Sequence, residues 1–262
     1  MEGRRHGIIG RAGAPSCLPA DADDGTRQPI DPLPFPACAL DGPVWSALHG
    51  GHRHLALGGA LAKRYPRDIG PFAALAADEA PAWTALAELL VPGEAAMLVT
   101  PDALAAPAPS GLLSTPLEPV LQMVVTRALP PAALPFEVLG DADADQMRAL
   151  AGLTNPGPFA ARTHRLGEFI GVREGGMLAA MTGERMRPDG AIEVSAVCVH
   201  PAHRGKAYAR QLLAERTRRI MAAGQQPFLH VYPSNHGAIA LYEALGYVVR
   251  KRLHLTRVML AG

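Results

Sequence analysis

The chain has 262 residues, longer than one typical domain, with 48% hydrophobic residues and a formal charge of +1 from 25 basic and 24 acidic side chains. No global field would therefore draw it to nucleic acid or to an anionic membrane, so any anion site must be local. Three widely spaced cysteines, Cys17, Cys38 and Cys198, form neither a disulfide framework nor a paired ligand motif, which fits a reducing cytoplasm.

Residues 1 to 38 are rich in Gly, Pro, Asp and Arg without helical or strand period, and are expected to be a disordered extension. Its start lacks the apolar stretch of a signal peptide, and no run approaches the roughly 18 apolar residues of a membrane span. The expectation is a soluble, cytoplasmic protein. From residue 39 to 128 the pattern predicts an α/β unit: helical segments at WSALHGGHRHLALGGALAKRY and AWTALAELL, then strands at AAMLVT and VLQMVV. In the first of these, His49, His52 and His54 have no carboxylate or cysteine at metal-site spacing, so surface histidines are expected and no metal.

Residues 129–135 carry Pro130, Pro131 and Pro135, which cannot continue a helix or donate to a central ladder, and mark a linker before a second unit at 136–262. In that unit DADADQMRALAG predicts an acid-started helix, and GEFIGVREGG, MLAAMTGERM and AIEVSAVCV predict three consecutive strands. A basic turn, HPAHRGKAYA, leads into a helix at RQLLAERTRRIMAAG that Gly224 is placed to cap. The first turn of that helix offers free N–H groups and the positive dipole end beside Arg204 and Lys206, a combination suited to a phosphate or pyrophosphate.

Val197-Cys198-Val199-His200-Pro201 followed by Arg204-Gly205-Lys206-Ala207-Tyr208-Ala209 resembles the cofactor motif of the GNAT acetyltransferases. Downstream, Asn235 to Tyr247 resembles the second motif of that superfamily, in the expected order and spacing, and the likeness runs from about Phe136 to Leu260, nearest to the glycine N-acyltransferase-like branch. The resemblance implies a GNAT acyltransferase fold, a mixed α/β sheet split near its middle to admit acetyl-CoA as acyl donor. It also suggests that the first unit is a degenerate copy of the same fold, shaping an acceptor pocket. The donor would contact Val197, Cys198, Val199, Arg204, Gly205, Lys206, Ala207, Tyr208, Ala209 and Asn235. Ala207 replaces the usual central glycine of the turn; in right-handed helical backbone the alanine would be accommodated at small cost.

Strand alternation puts Glu193, Ser195, Val197 and Val199 on one face, with Glu193 toward the ligand groove as the residue aligned with the catalytic glutamate of some GNAT members. A carboxylate there can take the proton of a substrate ammonium, directly or through water, although a solvated strand glutamate is the plain alternative. His230 on the strand FLHVY is a reserve base or a satisfied sheet histidine. The resemblance gives Tyr242 the task of protonating the departing thiolate; by spacing alone it is a core aromatic. Asn235 could cap its helix, hydrogen-bond the pantetheine arm, or both. Cys198 lacks a triad partner and is expected to be buried structure, which favours direct transfer. The implied activity is acetyl transfer to a primary amine of a small molecule, amino acid or peptide by a monomer or homodimer. A CoA-binding regulatory module without turnover, or an enzyme using a longer acyl-CoA, are the alternatives.

Overall fold

Twelve short apolar runs pair edge to edge into one mixed sheet in the computed structural model, which describes residues 38–105, 111–125 and 127–261. Of the extension expected at residues 1 to 38, residues 1–37, with Cys17, lie outside the described residues, and Cys38 begins a helix. The first elements are α1 (Cys38–Asp41) and α2 (Pro43–His49), the latter with a proline in its first turn, where the missing N–H is no loss. The long helix expected from Trp45 onward ends at His49. Gly50 and Gly51 favour a break there, and a side chain at either would meet Asp189 or Arg187, so the glycines also permit a close approach of the chain. The chain continues through β1 (Leu57–Gly58), β2 (Ala62–Arg64) and β3 (Phe72–Leu75).

The helix α3 (Ala80–Leu89) precedes β4 (Ala95–Thr100), β5 (Leu112–Pro116) and β6 (Val120–Val124). Trp83 and Leu86 of α3, both fully buried, pack on Ala62, Ala73 and Leu98, and the Trp83 indole donates to Asp78 at 2.8 Å, so a large apolar ring is buried with its one polar atom satisfied. Next come β7 (Glu137–Leu139), α4 (Ala144–Thr154), and the run β8 (Phe169–Glu174), β9 (Met177–Glu184) and β10 (Ala191–Val199). The chain closes with α5 (Tyr208–Ala222), β11 (Gln226–Val231), α6 (His236–Ala244) and β12 (Val248–Leu260).

Spatial order is β1-β2-β3-β4-β12-β6-β11-β10-β9-β8-β7, with β5 also on β12. The long strand β12 pairs with β4 along His254–Met259, with β6 along Val248–Leu253, and with β5 along Thr256–Leu260. β6, from the segment before the prolines, thus lies between β11 and β12, both from the segment after them. The proline-rich stretch runs along α5, where the N–H groups of Ala133 and Leu134 both donate to Gln211 Oε1 at 3.1 Å.

α4 and α5 cover opposite faces of this part of the sheet. Met147, Leu150 and Ala151 pack with Phe169, Met181 and Cys198, whereas Leu212 packs with Ile170 and Ala180, and Leu213 with Ile192 and Val194. α5 ends in a left-handed Gly224 (φ 71°), with Gln225 N bonded to Ile220 O and Gly224 N to Met221 O, the paired closure that glycine makes possible after a helix. No helix among the described residues is long and apolar enough to cross a membrane.

Candidate active site

The central parallel pair of strands holds for only a short distance. β10 and β11 are in register at Ala191–Gln226, Ile192–Pro227 and Glu193–Phe228, and beyond Glu193 no residue of β10 pairs with β11, so the two strands part. At the same level β10 bulges: its register on β9 shifts between Ser195 and Cys198, and Ala196 takes a left-handed φ of 51°. The extra residue reverses the alternation that plain strand geometry predicts. Glu193 therefore does not share a face with Val197 and Val199; those two pack with the α5 side, while Ala196 and Cys198 pack with α4.

Glu193 sits at the fork with no exposed surface. Arg185 Nε donates to its Oε2 at 2.9 Å, a second guanidinium N–H reaches Oε1, and His230 Nδ1 lies 2.7 Å from Oε1. Burial would raise its pKa, but the charge of Arg185, then His230, and their hydrogen bonds more than offset this and hold the carboxyl at about 2. A carboxylate only accepts, so His230 carries its proton on Nδ1. Gln122 Nε2 donates to Leu40 O at 2.8 Å and lies 3.2 Å from His230 Nε2, which is then the acceptor; Gln122 Oε1 accepts from Arg250 at 2.8 Å. Neither Arg185 nor Gln122 carried a local sequence signal. Arg185 was reachable only through the register of the β9–β10 hairpin, which brings Arg185 N to Glu193 O at 3.0 Å.

On the α5 side the turn before the helix forms a cleft of about 380 Å³ lined by residues 203–210 with Val199 and Leu241. The N–H groups of Gly205 through Arg210 meet no acceptor among the described residues, and the first helical bond is made by Gln211 N to Ala207 O at 3.1 Å. The side chain of Arg204 is exposed and likewise makes no ion pair among the described residues. Lys206 is held by Glu174 at 2.7 Å, and the Tyr208 hydroxyl bonds the same carboxylate; these two hydrogen bonds keep the Glu174 pKa below its ordinary value. Glu174 was not anticipated from the sequence, because it lies on β8, far from the motif.

Ala207 is left-handed (φ 58°, ψ 17°), so the accommodation expected for a right-handed alanine does not apply. Such a backbone costs a non-glycine residue roughly 1–2 kcal/mol. The turn is built in the form that a glycine would adopt freely, with Gly205 (φ 80°) two residues before it.

Tyr242 is nearly buried, 8% exposed, within the cluster that joins Ile192 and Val194 from one arm of the fork to Leu229 and Val231 from the other. Burial, and then the neighbouring Cys198, push its phenol up to about 12, so it holds its proton at neutral pH. Asn235 Oδ1 accepts from Ala238 N at 3.2 Å and caps α6. Cys198 is buried, and desolvation raises its thiol to about 12, leaving no thiolate at neutral pH. Of the clustered histidines, His52 departs from the surface position expected: it is 2% exposed, bonded to Tyr65 Oη at 2.8 Å and to Leu166 O at 2.9 Å, and burial lowers its pKa to about 4.

Residues 169–258 match the model of the FR47-like protein family. No curated protein matches the chain. A solved structure from Kribbella flavida, named a GCN5-related N-acetyltransferase, is 20% identical over 85% of this chain and 96% of its own, with a TM-score of 0.59, a likeness of fold alone. A structure from Novosphingobium aromaticivorans, assigned as an acetyltransferase of the GNAT family, is 39% identical over 86% of this chain and 99% of its own, with a TM-score of 0.78. That similarity, in a molecule with the split sheet and the open turn before α5, establishes that the chain belongs to the GNAT family of acetyltransferases.

Proposed function

We propose that the chain transfers an acetyl group from acetyl-CoA directly to a primary amine of a small molecule, an amino acid or a peptide. The observation that supports it most is the cleft at Arg204–Arg210, where N–H groups without an acceptor and a guanidinium without an ion pair among the described residues stand beside the parted strands. The donor supplies an activated thioester. Arg204 and the turn would hold its pyrophosphate, the edge of β10 at Val197 to Val199 that does not pair with β11 would pair with its amide arm, and Asn235, while capping α6 through Oδ1, would offer its amide nitrogen to that arm.

In the chemical step the amine nitrogen gains its bond to the acetyl carbon and loses a proton, and the sulfur leaves with the electron pair of the broken C–S bond. Tyr242 donates the proton that the sulfur takes up. The proton from nitrogen goes to the Glu193–His230 pair, in which Glu193 fixes the imidazole with its lone pair on Nε2, and the incoming proton displaces the hydrogen bond that Gln122 donates there. One observation favours a non-catalytic CoA-binding module instead: every oxygen of Glu193 is already committed to Arg185 and His230. A panel of amine acceptors assayed by thiol release separates the two. Amine-dependent release is expected; binding of acetyl-CoA with no release above background for any amine would favour the silent module.

A further inference from the structure

A second concavity, about 330 Å³, lies beside the donor cleft and shares Arg210 with it. Its walls are the start of the proline-rich stretch, Gln211 and Ala214 of α5, and the end of α6 at Ala244 and Leu245, and no acidic side chain lines it. Two guanidinium groups do. Arg127 is anchored by Nε to Leu245 O at 3.4 Å and by Nη2 to Ala244 O at 3.3 Å, which leaves Nη1 uncommitted. Gly246 (φ 85°) makes room for it, since any side chain there would run into the guanidinium. Arg210 is exposed and makes no ion pair among the described residues.

In a chain of near-zero net charge, two arginines that make no ion pair among the described residues at one hollow suit a local anion, and one of them is anchored by backbone carbonyls. The pyrophosphate of the donor is accounted for by the turn at Arg204–Ala209. Coenzyme A carries one further phosphate, the 3′-monoester on its ribose, one sugar away from the pyrophosphate, and Arg210 belongs to both hollows. We infer that Arg127 and Arg210 form the subsite for this 3′-phosphate, with Pro130 and Pro131 as its floor, so that the enzyme distinguishes coenzyme A from its 3′-dephospho form. The inference rests on the donor site proposed above.

Calorimetric titration of the full chain with coenzyme A and with 3′-dephospho-coenzyme A tests it, in the wild type and in Arg210→Ala and Arg127→Ala. The wild type should bind coenzyme A at least about tenfold more tightly, the scale of a charge-assisted phosphate contact. In Arg210→Ala the preference should fall below about threefold, with the larger loss of affinity in coenzyme A, a pattern that general misfolding does not produce. Arg127→Ala should act the same way; because it also removes a contact to the end of α6, the surface variant Arg210→Ala carries the decision if Arg127→Ala does not fold. Equal affinities in the wild type, or a preference that survives in Arg210→Ala, would overturn the subsite and leave the donor reading standing. Absence of binding by either ligand would overturn both.

Discussion

The turn before α5 and the carboxylate at the fork are opposite kinds of environment. Among the described residues the backbone N–H groups from Gly205 to Arg210 meet no acceptor and Arg204 makes no ion pair, so binding capacity is left open. Glu193 has no exposed surface and shares its oxygens between Arg185 and His230. The turn therefore suits the anion proposed for it, whereas the fork holds a charge already within the protein. A binding group is recognised by what it lacks, and a buried charged group by how completely it is satisfied. Tyr242 packs between the arms of the fork and keeps its phenol proton at neutral pH, the proton proposed above for the departing sulfur.

The largest effect should come from removing that phenol. Tyr242→Phe keeps the ring and its packing, so cofactor affinity and melting temperature should change little, while turnover falls by about a hundredfold to ten-thousandfold, the usual span of general-acid assistance. Turnover within twofold of wild type, with chemistry rate-limiting, would return Tyr242 to a purely structural part.

Glu193→Gln tests the committed side of the comparison. It leaves the buried Arg185 without its counter-charge, and loss of one partner of a buried pair typically costs about 3–5 kcal/mol, so denaturant unfolding should shift by that order. The pH dependence has a definite sign. Because the folded carboxyl is depressed from 4.5 to about 2, its stabilisation is complete above 4.5 and is lost as pH falls toward about 2; the variant should lack this part of the acid limb. His52, depressed from 6.5 to about 4, adds a loss in the same direction that begins at higher pH and that Glu193→Gln should retain. An unchanged acid limb in Glu193→Gln would show that the ion pair does not couple to folding.

The smallest effect is at Ala207. Its left-handed backbone favours glycine, while glycine adds unfolded-state entropy, so Ala207→Gly should stabilise by no more than about 1 kcal/mol. Thermal unfolding reads this; a lower melting temperature would mean that the Ala207 methyl group makes contacts worth more than the backbone strain.

What the sequence disclosed was local. The turn, α5 and α6 could be read because a basic Gly-containing run, an apolar stripe and a terminal glycine lie in order along the chain and mark a helix start and stop by themselves. The mixed α/β sheet expected for the family is the one observed. The bulge at Ala196 was hidden because alanine carries no mark of a left-handed backbone, and missing it turned the face assignment of Val197 and Val199 around. The surroundings of Glu193 were hidden for a different reason: Arg185 follows β9, His230 lies on β11, and Gln122, which contacts His230, lies on β6, and only sheet register brings them together. The helical reading beyond His49 gave apolar period too much weight against two consecutive glycines.

The central claim is that the open turn binds the donor. Calorimetric titration of acetyl-CoA into the wild type and Arg204→Glu measures it most directly, since Arg204 is exposed and its replacement should leave the fold intact. The account predicts saturable one-to-one binding to the wild type and a loss of at least about tenfold in Arg204→Glu, from one lost charge-assisted contact and one new repulsion. Equal affinity in the two proteins, with matching melting temperatures, would contradict it.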